Sequence, residues 1–274
     1  MKILIVGLGL IGGSYALGLK SKGHTIYGVD IDEKTLSYAK EHNFADYVSK
    51  DPKEFIEHAD MIIIGLYPSL ILEFLKTYNY LFKENQIITD VCGVKTVYVK
   101  DAMKLASPAT YLSHHPMAGR EKVGITYANT EMFKKANFLI CSSNHEEKHI
   151  NILKQIGTDL EFGKITVISP EKHDKMIGFT SQLTHAIAVS LVNSDTESDT
   201  KSFIGDSYRD LTRIAMINEN LWSELFMANK EYLLGEISNF EVELKRLKNA
   251  ILNDDIEEMK KIFISSRNKR KEME

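Results

Sequence analysis

The chain has 274 residues, 43% of them hydrophobic and 26% charged, with a formal net charge of −4 at pH 7. That is enough chain for one large or two modest cores, and an acidic balance argues against a nucleic-acid face. No apolar run nears the roughly 20 residues of a membrane span, and the two cysteines, Cys92 and Cys141, sit far apart outside any metal-ligand spacing. With no leader pattern at the N-terminus, the expectation is a cytoplasmic protein that binds no metal.

In chain order, short apolar runs at 3–6, 25–29, 60–65, 86–89, 109–112, 137–141 and 161–168 read as strands. Helical spacing falls between them, at 10–22, 33–42, 69–81, 94–105 and 146–156. Strands alternating with helices predict an α/β fold, an N-terminal Rossmann-type, doubly wound and mostly parallel sheet covered on both faces. Beyond Ser169-Pro170 no strand pattern remains. Helices are expected at 171–192, 202–217, 220–248 and 254–269, with a polar loop at 193–200. The expected division is therefore a dinucleotide-binding domain over 1–168 and an all-helical domain over 169–274. Leu233, Ile237, Phe240, Leu244 and Leu247 form an apolar stripe that needs a partner, within the domain or across a dimer. The charged residues 267–274 read as a fraying helix end.

Gly7-Leu8-Gly9-Leu10-Ile11-Gly12 leaves the first strand and opens the first helix. In that context G-x-G-x-x-G has a mechanical meaning: Gly7 makes the tight turn, Gly9 admits a pyrophosphate, and Gly12 lets helix and strand approach. Leu10 and Ile11 lie in the first helical turn, whose free N–H groups face the phosphates. Asp30 ends the second strand, 18 residues after Gly12. A carboxylate there accepts from a ribose 2′-hydroxyl and repels a 2′-phosphate, which selects NAD over NADP. Asp32 is the expected cap of the following helix, leaving Asp30 free for the ribose. The segment 65–69 reads equally as a cofactor-lining turn or an ordinary one.

Two further segments follow strands, Asp90-Val91-Cys92-Gly93-Val94-Lys95 and Ser113-His114-His115-Pro116-Met117-Ala118-Gly119-Arg120-Glu121. An imidazole at such a place can take a proton at neutral pH, as oxidation of an alcohol requires. On residue chemistry alone, His185 reads first as a core histidine. Arg213 reads as a structural partner of Asp210 or Glu219 as readily as a ligand for an anion, and Lys95 as a surface residue as readily as one leaning toward the site.

The run from His115 to Glu121 resembles the H-P-[MI]-A-G-x-E signature of the prephenate dehydrogenase family. Ser181-Gln182-Leu183-Thr184-His185-Ala186-Ile187-Ala188 is similar to its S-x-L-x-H-A-x-A helix, and Asp210-Leu211-Thr212-Arg213-Ile214-Ala215 to its T-R-I-A segment. The resemblance implies oxidative decarboxylation of prephenate with hydride transfer to NAD, in tyrosine biosynthesis. His115 is then the proton acceptor. Arg213 grips a substrate carboxylate, His185 orients the substrate, and Gly93 and Arg120 line its site. Where the family often carries Ser in D-x-x-S-V-K, this chain has Gly93. The resemblance also implies a homodimer through the helical domain and a small-molecule substrate, with neither nucleic acid nor membrane as partner. An arogenate dehydrogenase and a non-catalytic NAD-sensing protein are the alternatives.

Overall fold

The computed structural model describes residues 1–119 and 122–273. Its larger sheet holds β1 (Lys2–Val6), β2 (Thr25–Val29), β3 (Tyr47–Ser49), β4 (Met61–Ile64), β5 (Ile87–Asp90) and β6 (Thr110–Tyr111), all parallel, in the order β3-β2-β1-β4-β5-β6. Helices α1 (Leu10–Ser21), α2 (Glu33–Glu41), α3 (Lys53–Ile56), α4 (Pro68–Tyr78) and α5 (Val99–Ala106) connect these strands. Pleating divides the central strands between two cores. Ile3, Ile5, Met61 and Ile63 pack with Tyr15, Ala16 and Leu19 of α1 on one face. Leu4, Val6, Ile62 and Ile64 pack with Ile71, Phe74 and Leu75 of α4 and Val99 and Ala102 of α5 on the other. Each Val, Leu, Ile, Met or Phe side chain among them, taken from water, stabilises the fold by about 1.5–3 kcal/mol. This is why these strands read as unbroken apolar runs.

A second, three-stranded sheet departs from the expected single one. It orders β7 (Ser113–Pro116), β8 (Asn137–Cys141) and β9 (Lys164–Ile168), with β7 antiparallel to β8 and β8 parallel to β9. α6 (Glu147–Asp159) lies between β8 and β9 in sequence. The chain leaves the first sheet after Leu112, whose N–H still reaches the Ile88 carbonyl at 3.0 Å. A strand spelled Ser-His-His-Pro has no apolar alternation to announce it. So His115 lies within a strand rather than in the connection expected after one.

From Ser169 the chain is helical: α7 (Pro170–Ile177), α8 (Thr184–Asn193), α9 (Asp206–Thr212), α10 (Glu219–Ala228), α11 (Lys230–Leu252) and α12 (Ile256–Lys271). Ser169 caps α7 by accepting the Lys172 N–H, and Pro170 occupies the first turn. Between α7 and α8, Gly178–Leu183 is a π-helical stretch, so the helix expected over 171–192 is continuous but locally underwound. The helix expected over 202–217 is reduced to α9 and a 3-10 turn, Arg213–Ala215. The one expected over 220–248 breaks at Asn229. That buried side chain turns inward to donate to the Asp174 carbonyl at 2.9 Å and to Gln182 Oε1 at 2.7 Å. Of the apolar stripe, Leu233 is buried while Phe240 and Leu244 are 37% and 53% exposed. Among the described residues no helix is long and apolar enough to cross a membrane.

The helical part docks on the C-terminal ends of β4 and β5. The Ser69 N–H donates to Glu224 Oε2 at 3.1 Å, and Asp174 accepts the backbone N–H groups of Lys95 and Thr96.

Candidate active site

The strand order reverses direction between β1 and β4, where ligands bind in open α/β sheets. Gly7 sits there with φ +90°, and a Cβ on it would lie 2.6 Å from the Gly65 carbonyl oxygen. A Cβ on Gly12 would lie 1.9 Å from the Gly7 oxygen, so neither position takes a side chain without moving backbone. Gly9 has open space where its Cβ would be and caps α1 with no side chain of its own, leaving the first-turn N–H groups at Leu10 and Ile11 uncovered by a cap. Asp30 Oδ2 accepts the Leu8 N–H at 2.8 Å and Oδ1 the Asp32 N–H at 2.9 Å, so its carboxylate is anchored beside the glycine turn. Asp32 caps α2 from the Lys34 and Thr35 N–H groups. Turn, uncovered helix start and acid together fit a dinucleotide whose ribose hydroxyls meet Asp30. The Gly65 turn is a backbone neighbour of this cradle, with its N–H on the Val6 carbonyl at 2.7 Å.

At the end of β5 the chemistry is buried and ionic. Asp90 Oδ1 accepts the Lys95 ammonium at 2.8 Å, the Tyr98 hydroxyl at 2.7 Å and the Cys92 N–H at 2.9 Å. Oδ2 accepts the Tyr111 hydroxyl at 2.6 Å and the Ser113 hydroxyl. Lys95, for which the sequence suggested a surface or site-facing place, is 0% exposed and also donates to the His114 carbonyl at 2.7 Å. Burial alone would neutralise both partners. Attraction between them instead holds the Asp90 carboxyl below and the Lys95 ammonium above their usual ranges. His114 is equally enclosed, with Tyr15 OH 2.8 Å from Nε2 and Thr89 Oγ1 2.7 Å from Nδ1. Burial pushes its pKa down to about 3, so the ring is neutral. Cys92 and Cys141 are buried free thiols, pushed up to about 11 and about 12 by burial.

His115, opposite Leu139 in β7, is only partly buried. Its Nδ1 lies 2.8 Å from His173 Nε2, and His173 Nδ1 lies 2.7 Å from Asp174 Oδ1. His173 and Asp174 are fully buried, and neither was singled out from sequence. The available signal was Ser169-Pro170, which starts α7 and so puts an adjacent imidazole and carboxylate in its first turns. On the other edge of His115, a Cβ on Gly93 would lie 3.7 Å from Cε1 and 3.8 Å from Nε2, and 3.4 Å from Leu225 Cδ2 of α10. Gly93 thus leaves room beside Nε2. Burial, then the neighbouring His173 and Lys95, hold the His115 pKa well below the usual imidazole range. The ring is therefore an unprotonated acceptor at neutral pH.

His185, in the first turn of α8, donates from Nδ1 to the Ser181 carbonyl at 2.8 Å and stacks on Trp222 of α10 with centroids 3.6 Å apart. It is partly exposed, not enclosed as a core histidine would be. Arg213 opens the 3-10 turn that packs on α8, so these two residues share one pair of elements. The structure joins Gly93 to His115 and the glycine turn to Asp30; His185 and Arg213 come together on the helical side. Arg120 and Glu121 lie outside the described residues. Among the described residues no group of His, Cys, Asp or Glu gathers as a metal site.

Residues 15–165 match the family described as prephenate dehydrogenase, nucleotide-binding domain, and residues 169–265 the one described as prephenate dehydrogenase, dimerization domain. Prephenate dehydrogenase of Lactococcus lactis subsp. cremoris is 31% identical, over 100% of this chain and 77% of that protein. The structure of prephenate dehydrogenase from Aquifex aeolicus, in complex with hydroxyphenyl propionate and NAD+, superimposes with TM-score 0.90 at 29% identity, covering 100% of this chain and 99% of that one. Synechocystis arogenate dehydrogenase superimposes with TM-score 0.85 at 26% identity, over 100% of both chains.

Proposed function

Since this chain belongs to the prephenate dehydrogenase family, we propose that the cleft between its sheet and its helices oxidises prephenate with His115 as the proton acceptor. The protein is an NAD-dependent oxidoreductase of tyrosine biosynthesis, converting prephenate to 4-hydroxyphenylpyruvate and CO2. The observation that carries the assignment of His115 is its ring: neutral, partly open, with Nε2 facing the space that Gly93 leaves.

NAD, when bound, supplies the hydride acceptor. Gly7, Gly9, Leu10, Ile11 and Gly12 would hold its pyrophosphate at the start of α1, and Asp30 its ribose. His115 Nε2 takes the proton of the substrate hydroxyl as the C–H pair leaves as hydride. The ring carboxylate departs as CO2, and the electron pair of the broken C–C bond completes the aromatic ring. The borrowed proton returns to the product's phenolic oxygen, so no net proton is released. Arg213 offers a planar, permanently charged fork to a substrate carboxylate, and His185 on its Trp222 platform orients the ring. Positioning of this kind is worth several kcal/mol of barrier, up to about 7–11 in well-oriented reactions.

We read 1–168 as the nucleotide-binding unit and 169–274 as the unit that completes the site and pairs with a second copy. Phe240 and Leu244, exposed on α11, supply an apolar face for a homodimer. Two buried free thiols suit the reducing cytoplasm.

The test is NADH formation on addition of prephenate, with arogenate in a parallel reaction. The expected result is a higher kcat/KM for prephenate. A higher value for arogenate reassigns the substrate, and NAD binding without turnover of either makes the protein a sensor.

A further inference from the structure

We propose that Asp174 and His173 are positioning residues that fix the tautomer of His115, placing its proton on Nδ1 and leaving Nε2 as a bare acceptor toward the cleft. The inference rests on the reading of His115 as the base.

Asp174 Oδ1 accepts the Lys95 N–H at 2.9 Å, and Oδ2 accepts the Thr96 N–H at 2.7 Å and the Thr96 hydroxyl. These are donors, so the carboxylate is saturated as an acceptor and has no need of a proton. Burial works against the charge, but hydrogen bonds from His173 and Thr96 outweigh it and hold the carboxyl below its usual range. An ionised carboxylate only accepts, so the 2.7 Å contact requires a proton on His173 Nδ1. In a neutral imidazole the other nitrogen is then bare. Burial, the largest influence on His173, keeps that ring neutral. His173 Nε2 is therefore an acceptor, and its 2.8 Å contact with His115 Nδ1 requires the proton on His115. One proton assignment at Asp174 thus propagates through two rings.

The chain is also held still. His173 and Asp174 are both fully buried. Asp174 is fixed to the start of the turn after Gly93 by its carboxylate and to Asn229 by its carbonyl. The charged and titratable groups facing the two rings are Asp174, Asp90, Lys95 and His114. None of them offers His115 Nδ1 an alternative acceptor: Lys95 only donates, both His114 nitrogens are occupied, and each oxygen of Asp90 and Asp174 already accepts at least two hydrogen bonds. Without His173, either ring nitrogen of His115 could carry the proton, and the form with Nε2–H cannot accept from a substrate hydroxyl.

Nitrogen-15 NMR of the imidazoles in the intact protein reads the tautomer directly. The expected spectrum has a protonated Nδ1 and a bare Nε2 on His115; a proton on Nε2 overturns the proposal. His173→Gln keeps an acceptor oxygen in reach of Nδ1 and should hold kcat within a few-fold of the parent. His173→Leu removes it and should lower kcat on the order of 10-fold to 10²-fold. Asp174→Asn can turn its amide donor to His173, invert both rings and lower kcat by a factor of order 10² or more, with the His115 proton moved to Nε2. Equal loss in the Gln and Leu variants, or full activity in His173→Leu and Asp174→Asn, defeats the inference. If His115→Asn also leaves turnover unchanged, the reading of His115 itself fails. A large loss there beside intact His173 variants defeats only the tautomer assignment.

Discussion

Replacing Lys95 with methionine takes the cation from beside Asp90 while retaining most of the side chain's bulk. The carboxylate keeps four donors, from Cys92 N–H, Tyr98, Tyr111 and Ser113, but no neutralising charge, and both partners are 0% exposed. Removing one member of a buried ion pair typically costs about 3–5 kcal/mol, because the other is left charged in a medium that solvates it poorly. At roughly 2–4 °C per kcal/mol for a chain of this size, the melting temperature should fall on the order of 6–20 °C. Urea unfolding of parent, Lys95→Met, Asp90→Asn and the double variant measures the loss and the coupling. The pH dependence gives a second handle. In the parent, Asp90 sits below its usual range and Lys95 above, so the pair's contribution is lost only as pH falls through the depressed Asp90 value or rises through the elevated Lys95 value. In Lys95→Met burial dominates and raises the Asp90 value, so the penalty is present at neutral pH and eases as the carboxyl takes a proton. The deficit should therefore narrow as pH falls below neutral. A loss below about 1 kcal/mol, or a deficit flat with pH, would mean the hydroxyls alone support the carboxylate.

Other outcomes follow from the site. His115→Asn should lower kcat by a factor of order 10² to 10⁴ while NAD affinity, by fluorescence titration, is kept. Because the neutral His115 ring is the competent form and its pKa lies well below 6.5, kcat/KM should hold its plateau as pH falls past 6.5 and drop only at a distinctly lower pH. Gly93→Val fills the space within 3.8 Å of Nε2 and should lower kcat/KM for substrate by about 10², with NAD binding unchanged. Gly12→Ala, whose methyl would fall 1.9 Å from the Gly7 oxygen, should abolish NAD binding in the same titration. Phe240→Glu with Leu244→Glu should shift the mass in light scattering from dimer to monomer.

The sheet was legible because burial on both faces leaves a plain record: Met61–Ile64 can be little else than an interior strand. The glycine turn and Asp30 were legible because a dinucleotide cradle needs those residue types at that spacing. Polar burial left no such record. Lys95, Asp90, Ser113 and His114 look like surface residues by type, and only the fold brings their charges and donors together to satisfy one another inside. That is why the strand Ser113–Pro116 read as a connection and the helix expected from residue 94 starts only at Val99. His173 and Asp174 were missed for a related reason: their partners lie 58 residues away at His115 and 79 residues away at Lys95. No local pattern encodes such distances. Asn229 stops a helix by tertiary hydrogen bonds, against a spacing that would have continued it.

The π-helical stretch Gly178–Leu183 sets the azimuth of everything after it. An α-helix advances about 100° per residue and a π turn takes up one residue more, so regular α winding of the same six residues would turn α8 by roughly that angle. His185 would then swing off the indole of Trp222, and the face that α8 offers to the Arg213 turn would be exchanged for another. The wide turn thus absorbs one surplus residue, and the reading frame of helix faces across the cleft depends on that winding being kept.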